Sequence, residues 1–502
     1  YPLRRQRQMC IRDRINTSKW ISATSLSCYM MNDPILDVLK NKRRKTNPNK
    51  KKIQKTFKKY SLKHLQSGNI FEDNVMKVLS NRFCVKTVTS SWRECSDQKM
   101  FDKTKQLIQN GCEIIYQGVV FNHKNKTFGR PDLIMRTDIV NKLFQNKVSF
   151  DDNRYGYVII DIKGCILNLC SNGRYMLNSG YMKANKAQLY VYMQALNAIT
   201  GSKLNRAFIL GKGVKYMKNK VKYRFNDCFY SLGEVDFDSR DKYLTDKICD
   251  AIRWQRHIRR SHHKYNLRTP QSVEFFPNMK NSYDDKFIED KVLLADELNE
   301  ITNVWCCGFK ERVNAFQKGV YSWTNVDCNV DTLGVTGKWK RPRIQAILDI
   351  NQGNEGLFNI LNLSNTKNWL NPGPCEFFID FEMANVETQK QINETLITQN
   401  TNILAMIGCG WRSDKGKWMF KQFSVPQLSI YHEKILMDDF YKFIKTQMKI
   451  HKMTTCPRLY HWGHIEKTVY NRTKKRHRNR HWMLNNWAVS YTHLTLPTKR
   501  IV

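Results

Sequence analysis

The sequence predicts an α/β protein with two α/β domains joined by a helical segment, and three observations lead there. Between Gly68 and Asp227, short apolar runs rich in β-branched residues alternate with stretches of helical period. The same alternation returns between Cys375 and Met448. Between the two, residues 236–345 lack strand signals, and Phe287 to Phe316 follows a largely helical pattern.

In chain order, the ends come first. The chain begins at Tyr1, and Tyr1 to Arg14 (YPLRRQRQMCIRDR) and Ser490 to Val502 (SYTHLTLPTKRIV) resemble translated sequencing-adapter read-through. Residues 1–29 are therefore expected to be a non-native leader, with a native start at Met30 or Met31, and residues 490–502 a non-native tail. Lys40 to Phe71 contains twelve Lys or Arg and no acid, so residues 30–60 are expected to form a disordered basic arm. Such an arm is a phosphate-binding or nuclear-import tract, with Lys42, Arg43, Arg44 and Lys45 as its contacts, or simply a solubilising tail.

Residues 61–235 should form the first folded domain. Gly68 to Phe83 places Ile70, Phe71, Val75, Val78 and Leu79 on one helical stripe, and Lys183 to Thr200 reads as a long helix. Glu113 to Phe121 and Tyr157 to Ile162 read as strands, and Asn205 to Asp227 alternates like a hairpin. Residues 236–345 are the helical middle. In residues 346–489, Cys375 to Phe381, Asn402 to Trp411 and Lys417 to Val425 read as strands, followed by an amphipathic helix over Ser429 to Met448.

Composition narrows the function. At 502 residues and 41% hydrophobic content, disorder throughout is excluded. The 84 Lys and Arg exceed the 44 Asp and Glu by 40, a surplus that repels itself unless a polyanion neutralises it, so nucleic acid is the first partner to expect. Fifteen cysteines without regular spacing predict a reduced, intracellular protein of the cytoplasm or nucleus. No apolar run approaches the roughly 18 residues of a membrane span, so no membrane association is expected.

Two constellations carry chemistry. GRPDLIM (Gly129 to Met135) and VIIDIKG (Val158 to Gly164) each place an Asp at a strand or its edge. Strand alternation sends Asp161 and Lys163 to one side, away from the face that buries Ile160 and Ile162. Asp132 and Asp161 offer the hard oxygen ligands preferred by Mg²⁺ or Mn²⁺, with the Ile162 carbonyl as an extra ligand, and Lys163 can orient a water or neutralise a phosphorane-like state.

These residues resemble the PD-(D/E)XK nuclease superfamily, specifically its RecB-like branch: Pro131 and Asp132 stand at the PD, Asp161 to Lys163 at the (D/E)XK, and Gln188 to Tyr192 (QLYVY) at the QxxxY helix. The resemblance implies a restriction-endonuclease-like fold, cleavage of DNA phosphodiesters with a divalent metal, catalytic roles for Gln188 and Tyr192, and Glu72 of GNIFE as a further metal ligand. Some relatives carry an iron–sulfur cluster; here Cys228 and Cys249 alone lie in the corresponding stretch, and no cluster is expected.

FFIDFE (Phe377 to Glu382) ends an apolar strand on Asp380 and Glu382, and LYHWGHIEK (Leu459 to Lys467) adds Glu466. Together they resemble the first two motifs of DEDD-type exonucleases, which implies an RNase H-like domain with an incomplete metal site. In the middle segment, Trp305, Gly308, Val313, Ala315, Gly319 and Val320 are spaced like a helix-hairpin-helix, which would aim backbone amides near Gly308 and Lys310 at phosphate, or else form a plain helical turn around a core Trp305.

The expected function is thus a Mg²⁺- or Mn²⁺-dependent deoxyribonuclease in recombination, repair or end processing, resembling predicted nucleases of bacteria and large DNA viruses, with a helicase or recombination protein as a partner. The alternatives are a nucleic-acid-binding protein with a degenerate site, and an RNA-processing nuclease acting through the C-terminal domain.

Overall fold

The computed structural model describes residues 19–46, 58–150, 156–283, 287–353, 375–392, 395–413, 415–461, 465–479, 481–484 and 487–489. The chain is mixed α/β and divides into two compact units, one running to Ile344 with Gln389–Thr398 and the other made of Gln345–Thr388 and the rest from Gln399.

The first unit opens with β1 (Ile21–Ser22), α1 (Ser27–Met30) and α2 (Ile35–Thr46). These elements correct two expectations. Trp20, Ile21, Leu26 and Met30 are buried, so the stretch read as the end of a foreign leader is part of the hydrophobic core. The basic arm is helical over Ile35–Thr46, because Ile35, Leu36, Val38 and Leu39 form an apolar stripe that packs on Ile258, Leu267 and Phe275 and outweighs the charge beside it. Residues 47–57 lie outside the described residues.

There follow α3 (Lys58–Arg82), β2 (Val85–Thr87), α4 (Gln98–Gln109), β3 (Ile114–Tyr116), β4 (Val120–Asn122), β5 (Thr127–Gly129), β6 (Leu133–Arg136), α5 (Thr137–Leu143) and β7 (Tyr157–Asn168). Then come α6 (Met182–Thr200), β8 (Arg206–Lys218), β9 (Val221–Phe225), β10 (Gly233–Asp236) and α7 (Tyr243–Ser261). The main sheet has the order β10-β8-β7-β6-β3-β2, with β9 paired to β8, and β1, β5 and β4 form a small second sheet. The pair β7 and β8 is parallel and joined through α6, whereas β6 runs antiparallel to both β3 and β7.

Alternation along the strands builds two cores. Ile134, Ile159 and Ile209 face α6 and α7; Leu133, Met135, Ile160, Ile162 and Leu210 face Phe71, Val75, Val78 and Leu79 of α3. Ile70, expected on that helical stripe, is instead 56% exposed. The apolar run Glu113 to Phe121 is two strands rather than one, broken at Gln117, whose φ of 53° ends β3.

Past α7 the first unit contains α8 (Ile288–Glu297) and α9 (Phe309–Gln317) among turns, and α10 (Lys340–Asn351) begins within its last residues. Two buried ion pairs hold this region: Lys291 to Asp33 at 2.9 Å and Arg312 to Glu300 at 3.1 Å.

The second unit is built on β11 (Glu376–Ile392) and β12 (Thr395–Arg412), whose adjoining ends over Gln389–Thr398 belong to the first unit, with β13 (Trp418–Ser424), α11 (Ile430–Ile450), β14 (Arg458–His461), α12 (Ile465–Arg476) and β15 (Trp487–Val489), in the sheet order β13-β12-β11-β14-β15. Phe377, Ile379 and Phe381 bury one face of β11 against Phe440 and Ile444 of α11 and Val469 and Tyr470 of α12. The opposite face exposes Phe378, Trp418 and Phe420.

Candidate active site

Strand register builds the site. Leu133 pairs with Ile160 in the antiparallel ladder of β6 and β7, which places Asp132, the residue just before β6, beside Asp161. Tyr116 pairs with Leu133 on the other edge of β6, and the Gln117 N–H donates to the Asp132 carbonyl at 2.8 Å. Gln117, Asp132 and Asp161 therefore form a row across three strands at one end of the sheet. Asp161 is 1% exposed, and Lys163, two residues further on the same strand face, holds its Nζ 2.5 Å from Asp161 Oδ2.

The hydrogen bonds around this row are specific. Asp132 Oδ2 accepts from the Ile162 N–H at 2.8 Å, and Asp132 Oδ1 from Gln117 Nε2 at 3.2 Å. The same Gln117 Nε2 donates to Glu72 Oε1 at 2.8 Å, and Tyr116 Oη donates to that oxygen at 2.8 Å. Ile162, expected to offer its carbonyl, meets Asp132 through its amide. Glu72, expected as a third adjoining carboxylate, is joined to Asp132 through the Gln117 side chain.

Two glycines make these approaches feasible. A Cβ on Gly164 would lie 2.9 Å from the Gly68 Cα, so the strand that bears Lys163 and the helix that bears Glu72 touch backbone to backbone. Gly68 and Glu72 are one helical turn apart, which aims the acid at the sheet end that the glycine contact has brought near. A Cβ on Gly129 would fall 2.0 Å from Cε1 of the Tyr192 ring. That ring is buried, its hydroxyl accepts from Gln188 Nε2 at 2.6 Å, and it is hydrogen-bonded to the Arg130 backbone. Gln188 and Tyr192 thus brace the turn that carries Asp132, and they do so from one face of α6.

Charge is concentrated here. Burial, and then the Asp161 carboxylate, push the Asp132 acid well above the ordinary carboxylate range, and Lys163 opposes this without cancelling it. Burial works against the Lys163 ammonium, but Asp161 and Asp132 outweigh it and raise its pKa, so Lys163 is charged at neutral pH. Burial and the neighbouring Asp161 also raise the Tyr192 phenol well above its usual value, which keeps it a neutral hydroxyl.

Among the described residues, no three His, Cys, Asp or Glu side chains are grouped closely enough to hold a metal ion. The donor set still fits a small hard dication, because Mg²⁺ is commonly held by one or two carboxylates and keeps several waters. The raised Asp132 acid is an electrostatic reason for it: a half-buried carboxylate beside a buried one favours a proton or a cation between them.

The second carboxylate pair is arranged differently. Asp380 and Glu382 are exposed on the open face of β11, along a groove of about 430 Å³ that is also lined by Phe378, Trp418, Phe420 and Tyr460. Glu466 is buried and lies 3.2 Å from His461 Nδ1. Among the described residues the three acids expected as one site do not form a metal-holding group; Asp380 and Glu382 line the groove together with His461, and His461 in turn meets Glu466.

Nor does the middle segment offer the amide it was expected to. Gly308 caps the start of α9, and its N–H donates to Glu311 Oε2 at 2.8 Å, so an acid of this chain holds the place assigned to phosphate. Lys310 is exposed, and Trp305 is 36% exposed rather than a core residue. In α2, Lys42 Nζ donates to the Tyr265 carbonyl at 2.7 Å. The side chains of Arg43, Arg44 and Lys45 lie outside the described residues.

Sequence reasoning missed Gln117 and Tyr116. The available signal was a polar Gln followed by Gly118 inside an otherwise apolar run, a sign of a break where a side chain can be redirected. Among the described residues, no helix is long and apolar enough to cross a membrane. No protein-family model matches the chain, and no curated protein matches it.

Proposed function

We propose that the chain is a Mg²⁺- or Mn²⁺-dependent deoxyribonuclease whose active site is the end of the first unit's sheet, with a restriction-endonuclease-like fold there and an RNase H-like fold in the second unit. The observation that carries this reading is the row of Asp132 and Asp161 with Lys163 on the same strand, because two adjoining carboxylates, one buried and one half-buried, and a fixed ammonium suit metal-assisted phosphodiester hydrolysis. A bound dication supplies Lewis-acid polarisation of the scissile phosphate and a more acidic water.

The chain's own groups do the rest. Asp132 and Asp161 bind the ion, and the Ile162 N–H and the Gln117 amide fix the Asp132 carboxylate so that it does not rotate away. Lys163, charged and held at Asp161, presents its remaining protons to a phosphate oxygen or to the attacking water. Gln188 and Tyr192 act as positioning residues for the turn before Asp132.

The test is cleavage of end-labelled linear and covalently closed circular DNA, with single strands and RNA as competitors, in Mg²⁺, Mn²⁺ or chelator. Metal-dependent loss of linear DNA that disappears in Asp161→Ala is the expected result, and circular DNA separates internal from terminal cleavage. Metal-dependent cleavage at full rate in Asp161→Ala overturns the assignment, and cleavage restricted to RNA overturns the substrate.

A further inference from the structure

Strand β8 outruns its neighbour β7. Past Gly211, which pairs with Lys163, it stays beside β7 as far as Lys215 opposite Asn168, then runs on to Lys218 and returns as β9 with Tyr216 opposite Tyr223 and Lys215 opposite Arg224. Asn219 and Lys220 make the turn with φ of 50° and 64°, the left-handed pair of a tight two-residue hairpin.

The two faces of this ribbon differ. On one, Tyr216 stacks on Tyr223 with centroids 5.0 Å apart, and Phe225 stacks on Tyr230. Tyr216, Phe225 and Tyr230 pack against the core shared with α6, and Gly173 leaves room for the Tyr216 ring. The other face presents Lys215, Lys222 and Arg224, and Lys218 and Lys220 crown the tip. All five cations are exposed, residues 212–224 contain no acid, and among the described residues no carboxylate pairs with any of the five. A ribbon anchored by its rings and covered in uncompensated charge is suited to a rigid polyanion.

We propose that this ribbon is a clamp for duplex DNA, its basic face lying along the phosphates to one side of the cleaved bond. The position relative to cleavage rests on the nuclease reading above. Lys215 and Lys218 are four and seven residues beyond Gly211, which at about 3.3 Å per residue is roughly 13–23 Å along the strand. At about 3.4 Å per base pair, the ribbon meets a duplex roughly four to seven base pairs from the site. Single-strand binders offer free rings for bases to stack on, whereas here Tyr216, Phe225 and Tyr230 pack against the core, Tyr223 stacks on Tyr216, and the basic face carries no ring, only Lys215, Lys222 and Arg224 beside Met217. A two-stranded ribbon also matches the width of a major groove.

The test is binding without divalent metal, so that no cleavage intervenes, of a duplex of about 30 base pairs and of one of its strands across a salt series. The triple substitution Lys218→Gln, Lys220→Gln, Lys222→Gln removes exposed charges that pack against nothing in the core. The log affinity against log salt slope for duplex should become shallower by roughly 2.7, at about 0.9 per phosphate contact, with a smaller change for the single strand. The corresponding triple Arg variant should keep the original slope. An unchanged duplex slope overturns the clamp, as does a single strand that loses as much as the duplex. A slope that shifts as expected in a protein that cleaves nothing in any metal would retain the clamp and reject the nuclease; cleavage with an unaltered slope would do the reverse.

Discussion

Two strands of this protein end an apolar alternation on chemistry-bearing residues two apart: Asp161 and Lys163 in β7, and Asp380 and Glu382 in β11. In β7 the neighbouring strand brings a second acid alongside, α3 brings a third within reach through Gln117, and Asp161 is 1% exposed. In β11 the acids face an open groove, and the next candidate, Glu466, is engaged with His461. Alternation alone therefore sets the direction of two side chains; a site needs antiparallel register and a covering helix as well. Desolvation follows from that cover, and with it the coupling that raises the Asp132 acid.

The sharpest way to break this comparison is to remove each pair in turn. Asp161→Ala or Lys163→Ala should lower metal-dependent DNA cleavage by at least about 100-fold while leaving metal-free DNA affinity within about twofold. Asp380→Ala with Glu382→Ala should leave cleavage within about twofold, since that pair is exposed on an open groove and, among the described residues, no ammonium on its strand is fixed beside it as Lys163 is beside Asp161. Single-turnover rates on end-labelled DNA read both. If the Asp132→Ala, Asp161→Ala double mutant retained metal-dependent activity that then vanished on adding Asp380→Ala, the ranking of the two pairs would be reversed.

A second effect concerns the backbone contacts that shape the first site. Gly164→Ala forces a methyl against the Gly68 backbone, and Gly129→Ala forces one into the buried Tyr192 ring. Neither obstacle is the free end of a flexible side chain, so each substitution should cost about 1–3 kcal/mol in denaturant unfolding, the usual range for overpacking. Gly408→Ala in β12 meets Phe420 no closer than 3.5 Å and should cost less than either. Equal losses at all three positions would remove the contrast between a tight and an open site.

The smallest expected effect is electrostatic, and its sign is defined. The folded protein holds the Asp132 proton more tightly than the unfolded chain does, so the stability this contributes is present in acid and is lost as pH rises from the ordinary carboxylate value through the raised one. Removing that proton beside Asp161 is destabilising. Asp132→Asn should therefore raise the metal-free Tm at pH 7, by about 2–4 °C for each kcal/mol relieved, with the gain vanishing below the ordinary carboxylate range. Added Mg²⁺ should raise the Tm of the original protein and leave that of the variant nearly unchanged. A variant that melts lower at pH 7 and equally in acid would contradict the raised acid.

Some of this was legible in the residues and some was not. Period 2 puts Asp161 and Lys163 on one strand face and period 3.6 puts Gln188 and Tyr192 on one helix face, whereas the grouping of Asp132 and Gln188 to Tyr192 with them comes from the resemblance to PD-(D/E)XK nucleases. Gln117 shows locally only as a polar break before Gly118, because its role depends on which strand lies beside β6, a long-range fact. The helix Ile35–Thr46 was hidden by charge: four lysines and arginines from Lys42 to Lys45 dominated a reading in which the buried Ile35, Leu36, Val38 and Leu39 should have counted more. Trp20 to Met30 was discounted for its proximity to a foreign-looking end, although Trp20, Ile21 and Leu26 are apolar enough to demand burial. Glu466 shows what a motif leaves out: its hydrogen bond to His461, which lines the groove of Asp380 and Glu382, is a contact no spacing reveals.

Gln117 also shows how this fold ranks its priorities. A side chain other than glycine at φ 53° sits in a backbone region that costs on the order of 1 kcal/mol, and an extended residue there would let β3 run directly into β4 as one longer strand. Such a strand would be more regular, but its side chain would no longer lie where a single amide can reach Glu72 and Asp132 together. The kink is thus a local fault line maintained at a buried residue. Thermal ruggedness and the spacing of the acids make opposing demands on one peptide unit, and the observed conformation resolves them in favour of the acids.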